Sequence, residues 1–273
     1  MKLASLPVLF LLAASVHADD KKPAYEVEVR KDISYHAAKD ADAVRHKFDL
    51  YLPKGAKNYP VFFFIHGGGW TGGNKNSFGP IGKMFASHGI AFVSINYRLT
   101  PTVKHPDHAK DAAEAFAWTV ANVGKDGADT KRIFVAGHSA GGHLAALLGT
   151  DESYLKAHKL GLGNIKGVVP ISGVFDVTAD HLARIFGEED IRKAASPMSH
   201  LGDKMPPFLV LYASKEIAAL DKQAVMFGKA VEAKNRKIAV KKIEDRDHGL
   251  IMFKIANSDD EATKAIFAFI RGK

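Results

Sequence analysis

Ser139 lies in Gly137-His138-Ser139-Ala140-Gly141, which has the spacing G-x-S-x-G. A serine between two such glycines suits a sharp strand-to-helix turn, because glycine admits backbone approaches that a side chain would block. The turn lifts the hydroxyl off the sheet. The helix behind it points the positive end of its dipole at any negative charge that develops nearby. A serine hydroxyl alone is a weak nucleophile and needs a base. In this arrangement the chain order is serine, acid, histidine. Of the thirteen histidines, His248 in Asp247-His248-Gly249 combines a late position with a loop. The acid should follow the strand expected over Phe208–Ala213, which points to Glu216. Asp221 is the competitor, better suited to cap the next helix. Asp245 and Asp247 adjoin His248, but the acid in this chain order comes from the preceding strand end.

A second glycine cluster, His66-Gly67-Gly68-Gly69-Trp70, follows the apolar run Val61–Ile65. Consecutive glycines leave backbone N–H groups unobstructed. Those of Gly68 and Gly69, with that of Ala140, are the candidate oxyanion hole. Trp70 is the candidate substrate-binding residue. His138 should point away from the hydroxyl, His143 should support the nucleophile from the helix behind, and His66 should shape the glycine loop. His105 and His108 have no evident third ligand, so no metal is expected.

These residues need a scaffold of strand ends. Tyr25–Ser34 alternates, with Val27, Val29 and Ile33 on one side, and Arg45–Leu52 repeats the pattern, so the two suggest an opening antiparallel pair. The rhythm then changes to buried strands at Val61–Ile65, Ile90–Ile95, Arg132–Ala136, Gly167–Ile171, Phe208–Ala213 and Ile238–Ile243. Helices are expected over Ser77–His88, Asp107–Val123, Ala140–Leu148, Asp221–Lys234 and Leu250–Ile270. The alternation predicts an α/β fold, a mostly parallel sheet with helices on both faces. Asp151–Pro207 breaks the rhythm and reads equally as a lid or as crossover loops.

Lys2, the apolar run Leu6–Val16 and Val16-His17-Ala18 form a signal-peptide pattern, so 1–18 is expected to be removed and 19–273 to form one domain. The product would be secreted or periplasmic, with no stable membrane insertion after cleavage. The chain has no cysteine, which excludes thiol catalysis and cysteine-ligated zinc. The formal charge is +8, but the basic residues are scattered and no recognition motif accompanies them, so nucleic acid is not an expected partner. Oligomeric state cannot be read from the sequence.

Together these motifs, with Thr71-Gly72-Gly73, Asn96-Tyr97-Arg98-Leu99 and Gly142-His143, resemble the esterase and lipase branch of the α/β-hydrolases. Within that branch the likeness is to small carboxylesterases, carbohydrate acetyl or feruloyl esterases, and kynurenine-formamidase-like enzymes. The resemblance implies an eight-stranded sheet, an acyl-serine intermediate formed by Ser139, Glu216 and His248, a small-molecule or saccharide ester substrate, and no cofactor. The branch usually carries Asp where this chain has Glu216, and its longer members carry an N-terminal cap for which the stretch from Asp19 to Val61 has no room. Two rival readings remain: an arylformamidase or amidase using the same residues, and a non-catalytic binding protein on the same fold.

Overall fold

The computed structural model describes residues 24–217 and 219–273. The expected signal peptide, 1–18, lies outside the described residues. In chain order the elements are β1 (Val27–Ser34), β2 (Lys47–Pro53), β3 (Tyr59–Ile65), α1 (Gly79–Ser87), β4 (Ala91–Ile95), α2 (Asp107–Asn122), β5 (Ala128–His138) and α3 (Ala140–Thr150). After these come α4 (Ser153–Lys156), β6 (Gly167–Ile171), α5 (Ala183–Phe186), α6 (Glu189–Ala195), β7 (Phe208–Lys215), α7 (Leu220–Glu232), β8 (Ile238–Asp247), α8 (Leu250–Lys254) and α9 (Glu261–Arg271).

The strands form one eight-stranded sheet in the order β1-β2-β4-β3-β5-β6-β7-β8. β2 runs against both of its neighbours, and every pairing from β4 through β8 is parallel. All seven residues of β3 are buried because both faces of the sheet are covered. Val61, Phe63 and Ile65 enter a core shared with α2, α3 and α7, through Phe116, Leu144 and Phe227. Phe62 and Phe64 enter the opposite core, with Phe85 of α1 and Ile266 and Phe267 of α9. The α/β architecture expected from the strand–helix alternation is therefore present.

Three local expectations need correction. Val27 and Val29 pack on the α1/α9 side, whereas Ile33 packs on the other. The register of β1 against β2 shifts between Arg30 and Ile33, with Asp32 at φ 55, and one extra residue inverts the side-chain parity beyond it. The closing helix is two helices, because the Asp260 carboxylate accepts the Ala262 N–H at 2.9 Å and starts α9 afresh. Asp221 does not cap α7: Ala219 holds the cap position at φ 60, and Asp221 lies inside the first turn. In the 151–207 region, β6 sits in mid-sheet, and Phe175, Val177, Ile185, Phe186 and Ala195 are all buried in the core. That stretch is a packed crossover.

Candidate active site

In a parallel sheet all the carboxyl ends lie on one edge, and ligand sites in such sheets form there. β3, β5, β6, β7 and β8 are adjacent in the sheet, and they end just before the glycine loop, Ser139, Ser172, Glu216 and His248 respectively.

Ser139 has φ 54 and ψ −119, a conformation that costs a non-glycine residue about 1–3 kcal/mol. The surroundings enforce it. Its N–H donates to the Ile171 carbonyl at 2.9 Å, and its carbonyl accepts the His143 N–H at 3.0 Å. The turn also needs glycine at 141, where a Cβ would stand 2.1 Å from the Ile65 carbonyl oxygen. This is the collision expected from the motif.

The glycine loop lies against the serine, since a Cβ on Gly67 would be 3.2 Å from the Ser139 Cβ. Among the described residues no hydrogen bond engages the N–H of Gly68 or Gly69. The N–H of Ala140 opens α3, where first-turn donors have no partner within the helix. His66 holds the loop: its Nδ1–H donates to the Gly67 carbonyl at 2.7 Å, and its ring stacks on Tyr97 at 4.5 Å. Lys75, 2% exposed, anchors the far end through Nζ contacts to Asp49 at 2.6 Å and Asp32 at 2.7 Å.

His248 and Glu216 are directly bonded, Nδ1 to Oε1 at 2.5 Å, with side chains 18% and 1% exposed. Glu216 also accepts the Ile217 N–H at 3.1 Å and the Ala213 N–H at 3.2 Å. Burial pushes its carboxyl upward. The hydrogen bond from His248 and those from the loop outweigh burial and hold it below the usual carboxylate range. Ser172 was not foreseen from the sequence. It is 1% exposed with φ 46, and its hydroxyl faces the Glu216 carboxylate without closing a well-aligned hydrogen bond. The signal available for it was its place just past the strand Gly167–Ile171, one strand from the nucleophile.

His138 bridges nucleophile turn and base loop. Its Nε2–H donates to the His248 carbonyl at 2.8 Å, and the two rings lie 4.7 Å apart. It therefore turns from the serine toward the base loop, a contact that spacing alone did not disclose. Asp221 makes no hydrogen bond to His248 among the described residues and lines a surface hollow with Tyr212, Val225 and Met226. Asp247 uses its carboxylate on the N–H groups of Gly249 and Leu250, at 3.0 and 2.7 Å, at the start of α8.

Trp70 departs from its expected position. It is 4% exposed, its indole N–H donates to His143 Nδ1 at 3.3 Å, and its ring packs edge-on against Phe186. It is a packing residue behind the glycine loop. His143 in turn donates Nε2–H to the Ala195 carbonyl at 2.8 Å, tying the crossover to α3. His105 and His108 pair separately, with Tyr154 and Thr100.

His66, His108 and His143 are completely buried, and burial lowers them to about 4, about 4 and about 3. Unfolded, each would take a proton near pH 6.5. Below that pH the unfolded chain binds more protons than the folded one. Stability therefore falls as pH drops from about 6.5 toward 4, by about 1 kcal/mol per pH unit for each histidine. Urea midpoints measured from pH 7.5 to 4.5 should decline steadily through this window; a flat profile would show that the three rings are not held neutral.

Residues 48–231 match the BD-FAE family model. The chain belongs to the BD-FAE family. The BD-FAE span includes the glycine loop, Ser139 and Glu216, and ends before His248. Among sequence relatives, the chain is 33% identical over 201 residues to Esterase LipC of Mycobacterium tuberculosis (strain ATCC 25618 / H37Rv), covering 66% of this chain and 50% of LipC. It is 36% identical over 174 residues to the Probable carboxylic ester hydrolase LipM of the same organism, covering 56% of this chain and 40% of LipM. The chain thus spans half or less of these relatives. Among solved structures, a truncated carbohydrate esterase from gut microbiota superposes with a TM-score of 0.78 at 20% identity, covering 92% of this chain and 97% of that one. At that identity the likeness shows the fold, which is the α/β-hydrolase fold. Membership in the esterase branch, expected from the motifs, is shown by the family match and the sequence relatives.

Proposed function

We propose that this chain is a serine hydrolase of carboxylic esters, acting on short-chain acyl or carbohydrate-linked esters through an acyl-serine intermediate. The observation that carries this reading is the His248–Glu216 bond at the same sheet edge as the strained turn of Ser139. With Nδ1–H donated to the carboxylate, the free Nε2 of His248 is the base. It takes the Ser139 proton as Oγ attacks the ester carbonyl. The oxyanion rests on the N–H groups of Gly68, Gly69 and Ala140; losing one such donor typically costs about 3 kcal/mol in the transition state. His248 then protonates the departing alcohol, and water repeats the sequence on the acyl-serine. Glu216, held ionised, stabilises the imidazolium that forms at each stage. The carbohydrate esterase among the solved structures supports a saccharide ester as one substrate class. The leader pattern at residues 1–18 supports action outside the cytoplasm.

Hydrolysis of p-nitrophenyl esters from acetate to palmitate tests the proposal. Turnover highest at acetate or butyrate is the expected result. Inactivity across the series, with N-formylkynurenine cleaved instead, would replace the esterase reading with a formamidase one.

A further inference from the structure

Opposite the catalytic edge, the amino ends of β5 to β8 border a cleft of about 560 Å³. Arg132, Lys166, Lys237, Arg271 and Lys273 line it, and among the described residues no aspartate or glutamate side chain does; Arg271 and Lys273 have partners of their own, which leaves Arg132, Lys166 and Lys237 as the charges that follow the strand ends. The backbone fixes the spacing of these charges. Lys166 immediately precedes β6 and donates its N–H to Ile133 beside Arg132; the Lys237 carbonyl, at the start of β8, accepts the Phe208 N–H. From β5 to β8 there are three strand spacings, roughly 14 Å in all. A row of that length made by Arg132, Lys166 and Lys237 suits several anionic groups on one chain.

We propose that this cleft binds an acidic polysaccharide, a chain bearing repeated carboxylates, and so holds a polymeric substrate on the face away from Ser139. The saccharide class rests on the carbohydrate-ester reading above; the anionic class rests on the cleft itself. Two other polyanions fit less well. A bilayer surface would call for exposed apolar side chains around the charges. Among the described residues, the exposed large apolar side chains (Val44, Ile191, Ile217, Val225, Met226 and Phe253) all lie outside the cleft lining. Single-stranded nucleic acid is gripped by aromatic faces on which bases stack. Here Phe134 is 3% exposed, and the ring of Phe269 packs against it at 5.8 Å. What remains is a concave, cationic trough with an apolar floor.

The test is titration of the full chain with polygalacturonate, with neutral dextran, phosphatidylserine vesicles and single-stranded DNA in parallel. Polygalacturonate should bind with an affinity that falls as salt rises, and dextran should not bind. The combined variant R132Q/K166Q/K237Q should bind polygalacturonate about tenfold or more weakly, with a smaller salt dependence. Lys166 and Lys237 are exposed, so K166Q and K237Q alone give folded proteins should the combined variant fail to fold, each with a partial loss. Wild-type affinity in the variants, absence of polygalacturonate binding by the wild type, or tighter binding of vesicles or DNA overturns the proposal. Turnover of p-nitrophenyl acetate is read separately and should be equal in wild type and variants. A wild type that binds polymer but cleaves no ester fails the esterase reading and leaves the cationic cleft supported. One that cleaves ester without binding polymer fails the cleft alone.

Discussion

Ser139→Ala lowers the turnover of p-nitrophenyl acetate by on the order of 10⁶-fold, because serine, base and acid act as one unit and removing the nucleophile forfeits nearly the whole of their effect. The small remainder comes from the glycine loop and from binding. The variant should keep its fold. Alanine at φ 54 bears the same backbone strain as serine, and the bonds that enforce the turn run through the backbone of residue 139 and remain. A urea midpoint within a few tenths of a molar of wild type, together with loss of labelling by a fluorophosphonate probe, is the expected pair of results. Turnover near the wild-type value would remove Ser139 from the chemistry.

Glu216→Gln lowers kcat by about 10⁴-fold, on the scale seen when a catalytic carboxylate is replaced by its amide with the geometry kept. The reason is written in the donors around the side chain. His248 Nδ1, Ile217 N–H and Ala213 N–H all point at Glu216 oxygens, so the site is built for an acceptor on both sides. An amide brings its own N–H₂ and leaves one of those donors facing another. If the amide nitrogen turns to His248, the ring is driven to the tautomer with hydrogen on Nε2, which cannot take the serine proton. Asp221→Asn should leave kcat unchanged within about twofold, as most surface substitutions leave a protein little altered. A larger loss in Asp221→Asn than in Glu216→Gln would transfer the acid to Asp221.

Much of this site could be read before any coordinates. G-x-S-x-G, the triple glycine and a late histidine each sit at the end of an apolar run, and apolar runs are how a doubly covered sheet writes itself into sequence. Glu216 could be preferred over Asp221 because only one of them stands at a strand end. What escaped depends on three-dimensional neighbours. Ser172 is brought to the site by strand order, which places β6 between β5 and β7 and leaves no mark in local composition. His138 reaches a carbonyl 110 residues away. Trp70 lies beside the oxyanion loop in sequence, yet its ring turns inward to His143. The bulge at Asp32 and the fresh start of α9 at Asp260 are single-residue events inside otherwise correct periodicities.

Strand order also sets a timetable for synthesis. The first five strands and the nucleophile turn come from the part of the chain made first, and β6, β7 and β8 are then added one after another at a single edge. The Ser139 turn is thus made before its acid and base, and the Ile171 carbonyl that holds it comes with β6. A nascent chain halted before β8 holds a strained serine with no base to activate it. On the function proposed above, hydrolytic competence arrives only with the last strand and the loop behind it.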